Sequence, residues 1–256
     1  MSAIRTLLCT AGVLGGMTTV AAAQVSTAPV QPSPPAAADL GQPVADRAII
    51  VHGLLDQFEG RTDGRVPDLR WSGEGWIGSD YDKFWVKTEG FRRADGKIDD
   101  GRHEFLYSRA VSTYFDLQGG LRSDIDSRRN RNWAAFGVHG LAPLFFQVDA
   151  AVYASDQGHF AARLEGSYEL LITQRLILQP EVEINLYSKS DPARLVGAGL
   201  SDIDTGLRLR YEFTRKFAPY IGVAYEGKFG QTASFARRAG ESTSGVRFVF
   251  GVRSWF

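Results

Sequence analysis

Long stretches of this chain alternate between apolar and polar residues, and this alternation limits the possible folds more than any other feature. Between residues 159 and 170, one parity reads Phe, Ala, Leu, Gly, Tyr, Leu and the other reads His, Ala, Arg, Glu, Ser, Glu. Residues 176–187 and 201–212 repeat the pattern over about ten or more positions. Strands of soluble proteins usually have about five or six residues. The fold must therefore accommodate unusually long strands.

The alternation divides the chain after about residue 48 into twelve predicted strands. They cover residues 49–59, 68–78, 83–91, 100–111, 114–124, 132–141, 144–154, 159–172, 176–187, 201–212, 217–228 and 244–256. Connections after even-numbered strands are short, whereas most of those after odd-numbered strands are longer and polar, such as 125–131, 188–200 and 229–243. Short turns at one rim and long loops at the other are typical of outer-membrane barrels. About ten residues also suffice for a tilted membrane-spanning strand.

These features predict an all-β fold, a transmembrane antiparallel up-and-down β-barrel of about 12 strands. A soluble β-sandwich or a lipocalin-like barrel is the alternative, because alternation alone does not distinguish them. Strand length, loop asymmetry and the even strand number favour the membrane barrel, in which closure satisfies every backbone N–H and C=O. Phe256 ends the last alternating strand, as a terminal aromatic residue of the kind that the bacterial outer-membrane assembly machinery recognises.

The first 48 residues differ in composition from the rest. Arg5 precedes an apolar run that ends in Ala21-Ala22-Ala23, which predicts a secretory signal peptide over residues 1–23. Residues 24–48 are rich in Pro, Ala and Gln and predict a flexible leader. The predicted organisation is therefore signal peptide, leader and a barrel over residues 49–256, located in the outer membrane of a Gram-negative bacterium.

Composition excludes several classes of function. Lys plus Arg and Asp plus Glu are both 29, so the net charge is zero and gives no electrostatic argument for a nucleic-acid partner. The single cysteine is Cys9 and the two methionines are Met1 and Met17, so removal of the signal peptide leaves no thiol or thioether. No Gly-x-Ser-x-Gly elbow or phosphate-binding loop is present. We therefore predict that the protein is not an enzyme.

Strand parity predicts an interior crowded with ionisable side chains. They are Arg163, Glu165, Glu169, Glu181, Glu183, Asp202, Asp204, Arg208, Arg210, Arg247 and Arg253. Adjacent antiparallel strands would bring acids and bases within pairing distance. Two interpretations follow: salt bridges that fill a narrow interior, or a cation path built on the acidic members.

The four histidines are candidate metal ligands, because imidazole commonly binds transition metals. His103, His139 and His159 share parity with predicted inward residues, while the direction of His52 is ambiguous. No two histidines stand at i, i+2 on one strand. Each one alone is therefore better interpreted as a hydrogen-bonding residue of the pore or rim.

Several stretches carry a family resemblance. They are LLDQFEGR (54–61), WSGEGWIGSDYDKFWVKTEG (71–90), LYSRAVS (106–112), GLAPLFFQVDAAVYASDQG (140–158), RLEGSYELLITQRLILQPEVEINLYSKSDP (163–192), GLSDIDTGLRLRYEFTRKFAPYIGV (199–223) and GVRSWF (251–256). Together they resemble the copper resistance protein B family of outer-membrane proteins. The resemblance implies an outer-membrane β-barrel for copper binding and tolerance, working beside a periplasmic multicopper oxidase.

One departure from the family affects the choice of ligands. Many members carry a Met- and His-rich region before the barrel, whereas residues 24–48 contain neither residue. Any copper would then be held by nitrogen and oxygen, a set better suited to Cu(II) than to Cu(I). The candidate ligands are His52, His103, His139 and His159 with the lumen carboxylates Glu165, Glu169, Glu181, Glu183, Asp202 and Asp204. A narrow general pore or structural barrel without metal function is the alternative.

Overall fold

The computed structural model describes residues 48–64, 66–127 and 130–256, which form a sheet of long strands. The strands are β1 Ile50–Thr62, β2 Asp68–Gly78, β3 Asp82–Arg92, β4 Ile98–Ala110, β5 Phe115–Asp124, β6 Arg131–Ala142, β7 Phe146–Ser155, β8 Phe160–Ser167, β9 Leu170–Leu171, β10 Leu176–Tyr187, β11 Gly199–Tyr211, β12 Phe217–Lys228 and β13 Ser244–Trp255. The predicted signal peptide and nearly all of the predicted leader lie outside the described residues. The division into signal peptide, leader and barrel stays a prediction.

The sheet closes on itself with every pairing antiparallel. Neighbours in the chain pair in order, and β13 pairs with both β12 and β1. Backbone bonds from Phe256 N to Gly53 O, 3.0 Å, and from Gly53 N to Phe256 O, 3.1 Å, extend that seam to the last residue. Closure leaves no unpaired sheet edge along this seam. The predicted twelve-strand antiparallel barrel is confirmed.

β8 and β9 are two pieces of one barrel strand, which the sequence predicted as continuous. Ser167 lies opposite Glu181 and Leu170 opposite Leu178, so the register is the same on both sides of the interruption. Pro180 of β10 lies opposite the gap and has no N–H to donate to the ladder. The missing donor explains why the ladder is interrupted without ending the wall.

Side-chain burial is inverted relative to a soluble protein. Large apolar residues such as Leu121, Ile221 and Phe248 point outward and are about two-thirds exposed, whereas Glu59 and Arg61 point inward and are almost completely buried. A soluble protein rarely exposes an apolar patch of this extent. The outer surface is therefore complementary to hydrocarbon, and the soluble alternatives do not fit.

Two connections differ from the prediction. The loop predicted over 229–243 contains a helix, α1, Gly230–Arg238, which is fixed by a hydrogen bond from the Gly197 N–H to Thr232 Oγ1, 2.8 Å. β7 begins at Phe146 rather than at residue 144, because Leu144 and Phe145 have φ values of 67° and 65° and belong to a tight turn. Among the described residues, no helix has the length and apolar character needed to cross a membrane.

Candidate functional site: the charged lumen

The lumen is crossed, three to five residues from the long-loop ends of the strands, by a cluster of five acidic and basic side chains, which we call the crossing cluster. Its members are Arg70, Glu89, Arg102, Arg163 and Glu183. The Glu183 carboxylate accepts hydrogen bonds from Arg163 Nε at 3.0 Å, Arg70 Nη2 at 3.1 Å and Arg102 Nη2 at 3.2 Å. These arginines come from β8, β2 and β4, so the contacts span the interior instead of following one wall.

A second set of paired charges lies beside the crossing cluster, on β1, β10 and β11. Arg208 donates to both oxygens of Glu59, at 2.9 and 3.0 Å, and also contacts Glu181 Oε2 at 3.1 Å. Arg61 donates to Glu59 Oε1 at 2.8 Å and to Asp204 Oδ2 at 2.6 Å. All five side chains face inward, and taking such charges out of water is tolerable only when each is paired.

A cavity of about 630 Å³, the outer chamber, lies between the crossing cluster and the long-loop rim. Loop residues such as Arg194 and Glu241 contribute to its wall. Its acidic members are Asp68, Glu89, Asp99, Asp100, Asp124, Glu183, Asp202, Asp204, Glu226 and Glu241, and its basic members are Arg70, Arg93, Lys97, Arg102, Arg122, Arg194, Lys228 and Arg247. The acids outnumber the bases by ten to eight, which favours cations over anions.

Glu241 fastens the loop that contains α1 to the mouth of the outer chamber. Its carboxylate accepts hydrogen bonds from Arg93 Nη2 at 2.7 Å and Lys228 Nζ at 2.9 Å. Burial alone would raise the pKa of Glu241, but the hydrogen bonds and charges of Lys228 and Arg93 lower it to about 2. Glu241 is therefore ionised across the physiological pH range.

A smaller cavity of about 90 Å³, the inner chamber, lies between the crossing cluster and the short-turn rim. His139 and Asp149 both line it, with Nδ1 of the histidine 3.3 Å from Oδ2 of the aspartate. Lys87 pairs with the same carboxylate. Glu89 and Arg102 line both chambers, so the crossing cluster forms the wall between them.

Aromatic rings fill the side of the interior next to the inner chamber. Their centroids follow one another from His52 to Trp76 at 5.8 Å, from Trp76 to Trp85 at 6.2 Å and from Trp85 to His139 at 5.2 Å. Lys87 lies over the ring of Trp85, 5.6 Å from its centroid. These rings narrow the short-turn half of the lumen.

The structure does not bring the four histidines together. His139 faces the inner chamber, and His52 is separated from it by the rings of Trp76 and Trp85. His159 lies between β7 and β8 at the long-loop rim. The predicted inward parity of His103 is wrong: it shares the outward face with Phe105 and bonds Thr88 Oγ1 at 3.0 Å.

The error at His103 has a local cause. Glu89 pairs with Arg102 but Phe91 pairs with Asp99, so β4 contains a bulge, and Asp100 within it has a φ of 53°. A bulge adds one residue and reverses the parity beyond it. Asp99 and Arg102 are therefore both buried, and His103 points away from the lumen.

The six predicted carboxylates lie on the inward face, as strand parity indicated. Glu181, Glu183 and Asp204 are engaged by arginines, as are Glu165 and Glu169. Asp202 instead accepts a hydrogen bond from Asn185 Nδ2 at 2.8 Å. Within the described part of the chain, no three His, Cys, Asp or Glu side chains are grouped as a metal site. The proposed copper ligands stay a prediction.

Five central residues of the lumen were not among the predicted interior charges. They are Glu59, Arg61, Arg70, Glu89 and Arg102. Each lies in a strand whose alternation is blurred by glycine or by a bulge, as where the β1 pairing shifts between Leu55 and Gln57. Strict counting of parity from Phe58 and Gly60, which face outward on β1, would have placed Glu59 and Arg61 inside.

Comparison with known proteins agrees with this architecture. Residues 49–256 match the family described as Copper resistance protein B precursor (CopB). Copper resistance protein B of Escherichia coli is 42% identical over 216 residues, covering 84% of this chain and 73% of that protein. The Copper resistance protein B homolog of Pseudomonas syringae pv. tomato shows the same identity and coverage.

Solved structures are similar in fold alone. The NanC porin, in a rhombohedral crystal form, superimposes with a TM-score of 0.50 at 11% identity, over 80% of this chain and 99% of the porin. The KdgM porin gives a TM-score of 0.44 at 13% identity, over 81% and 99%. The fold is that of an outer-membrane β-barrel, and the long sequence match completes the assignment. The chain belongs to the copper resistance protein B family.

Proposed function

We propose that the barrel supports copper tolerance by binding copper ions, as cargo, on the carboxylates of the outer chamber. Family membership supplies the link to copper. The observation that carries the proposal is the excess of acids over bases around a cavity of about 630 Å³ at the long-loop rim. Long loops of outer-membrane barrels are extracellular, so copper would reach this chamber from outside the cell or leave through it.

The available ligands favour Cu(II). No cysteine or methionine occurs after Met17, so the barrel offers only oxygen and imidazole donors, which suit Cu(II) better than Cu(I). Asp202 is the best candidate for first contact, because it lines the outer chamber and has no salt-bridge partner among the described residues. His139 with Asp149 offers a second, mixed donor pair in the inner chamber.

In this role the barrel would both bind copper and pass it across the membrane. The inner chamber lies towards the short turns, which face the periplasm in barrels of this kind. A periplasmic multicopper oxidase, implied by the family resemblance, would meet the barrel at that rim. That the chain is not an enzyme stays a prediction.

Cu(II) titration of the purified barrel in detergent, followed by calorimetry and electron paramagnetic resonance, tests the proposal. We expect Asp202→Asn to weaken binding about tenfold, equivalent to about 1.4 kcal/mol. The matched control is Asp95→Asn, which removes an exposed carboxylate that pairs with Lys97 and lies outside the lining of both chambers. Equal affinities of the wild type and Asp202→Asn would reject the outer chamber as the copper site.

Replacement of His52, His103, His139 and His159 by alanine tests the histidine ligands separately. If imidazole binds Cu(II), the resonance spectrum of the wild type shows nitrogen couplings that the fourfold variant lacks. An unchanged spectrum and unchanged affinity would reject all four histidines as ligands. Conductance of salt by the barrel with no measurable copper affinity would instead favour the general pore.

A further inference from the structure

The crossing cluster joins strands that are far apart around the barrel. Arg102 of β4 and Glu183 of β10 are 81 positions apart in the chain, and Arg70 of β2 and Glu183 are 113 apart. Four strands separate β4 from β10 on one side of the barrel. Contacts between these strands therefore cross the lumen, and a hydrated ion on the barrel axis would have to separate them.

The same residues form the boundary between the two chambers. Glu89 and Arg102 line both, and Glu89 accepts a hydrogen bond from Arg163 Nη2 at 2.9 Å while also pairing with Arg102. Arg102 and Arg163 keep less than a tenth of their side-chain surface exposed. The boundary is thus formed by buried side chains that both chambers share.

Arg102 is the least satisfied member of this boundary. Its Nη2 contacts Glu89 and Glu183, but its Nε and Nη1 are buried and make no hydrogen bond among the described residues. A buried, unpaired donor of a charged group is costly. Movement of Arg102 towards the outer chamber would hydrate both nitrogens, so this side chain can leave the cluster at the lowest cost.

We infer that the crossing cluster is the permeability barrier and charge filter of the barrel, with Arg102 and Glu183 determining which sign of ion can pass. Three arginines oppose two glutamates in the cluster. Removing a positive charge would favour cations and removing a negative charge would favour anions. This inference concerns any small ion and does not depend on copper binding.

Planar-bilayer recordings under a KCl gradient test the inference with K⁺ and Cl⁻ as probes. We expect low conductance for the wild-type barrel and an increase of about tenfold for Arg102→Gln, with a reversal potential shifted towards cation selectivity. Glu183→Gln should also increase the conductance, because three arginines lose the negative charge that they share, but should shift the reversal potential towards anions. Opposite shifts are the signature of a charge filter.

The matched control is Arg215→Gln, which removes an exposed charge that pairs with Glu212 at the short-turn rim, outside the lining of both chambers, and should leave conductance and selectivity unchanged. Heat-dependent gel mobility verifies that each variant is a folded barrel. If Glu183→Gln does not fold, the conductance and selectivity of Arg102→Gln decide the question. High wild-type conductance, unchanged conductance in folded Arg102→Gln, or shifts of the same sign in both variants would overturn the inference.

Discussion

Arg61 illustrates how a charge is kept inside this barrel. Its side chain is completely buried and donates to Glu59 at 2.8 Å, Asp204 at 2.6 Å and Glu226 at 2.7 Å. Removing a guanidinium from water costs several kcal/mol, and only close, well-oriented carboxylates offset this cost. The same reasoning applies to Arg208 between Glu59 and Glu181. The stabilising contribution therefore belongs to each set of paired charges and not to any single residue.

Arg61→Met should therefore lower the free energy of unfolding by about 3–5 kcal/mol. The substitution keeps an unbranched side chain but leaves three carboxylates without their shared cation. Urea unfolding in lipid vesicles, followed by tryptophan fluorescence, measures the change. Lys97→Met is the control, because Lys97 pairs with Asp95 on an exposed turn and should change stability by no more than about 0.5 kcal/mol. Equal effects of the two substitutions would contradict this account of Arg61.

At the scale of elements, helix packing and ion pairs hold the loop between β12 and β13 at the long-loop rim. α1 begins at Gly230 with no side-chain cap and has only nine residues, a length that is marginal for an isolated helix. Buried Ala233 and Ala236 and the hydrogen bond to Thr232 hold it against the barrel. Glu241 then holds the segment between α1 and β13 through its ion pairs with Arg93 and Lys228.

Glu241→Gln should make the loop that contains α1 more accessible to protease. We expect trypsin cleavage after the exposed Arg237 and Arg238 to accelerate about fivefold, since partly exposed ion pairs contribute about 1 kcal/mol. Mass spectrometry of the fragments locates the cuts. Glu212→Gln, which removes the partner of exposed Arg215 on the opposite rim, should leave cleavage at Arg237 and Arg238 unchanged. A wild-type cleavage rate in Glu241→Gln would show that other contacts hold the loop.

The pKa of Glu241 gives the same interaction a pH dependence. Because its pKa is lowered from 4.5 to about 2, the ionised form is the one that the fold stabilises. The contribution is complete above about pH 4.5 and is lost as the pH falls towards 2. Acid protease digestion with pepsin at pH 4.5 and pH 2 should therefore show a larger difference between wild type and Glu241→Gln at the higher pH. A difference in cleavage rate of the same size at both pH values would contradict the lowered pKa of Glu241.

At the scale of the whole molecule, the barrel combines an apolar outside with a charged inside. Phe136, Val152 and Leu164 belong to the outer face, while Trp133, Tyr153 and Arg163 on the same strands are buried. Both chain ends of the barrel lie at the short-turn rim, because the number of strands is even. The molecule therefore depends on hydrocarbon around it as much as on ion pairs within it.

Leu121→Arg tests the dependence on hydrocarbon. The side chain of Leu121 is on the outward face of β5 and is 65% exposed, so an arginine there would face the lipid. We expect a loss of about 2–4 kcal/mol of stability if the residue lies near the bilayer midplane. The heat-modifiable fraction on gels and urea unfolding in vesicles measure the loss. Val66→Arg, in the loop after β1, should fold as the wild type does; a stable Leu121→Arg barrel would contradict the lipid-facing assignment.

The sequence alone determined the strand number, the strand bounds within three residues and the inward position of the six carboxylates. Period-two alternation is a local property, and each strand carries it whatever its neighbours are. Parity failed at His103, because the bulge at Asp100 reverses the face and leaves no clear mark in the sequence. α1 was missed because contacts with Gly197 and Ser201 stabilise it more than its own residues do.

Only the tertiary structure decided which charges meet. Arg61 and Asp204 are 143 positions apart, and Gln57 and Glu181 are 124 apart. Alternation shows that such side chains point inward, but their partners depend on closure, register and strand tilt, which are properties of the whole cylinder. The crossing cluster and the two chambers exist because the barrel is narrow enough for arginines and carboxylates from opposite walls to touch.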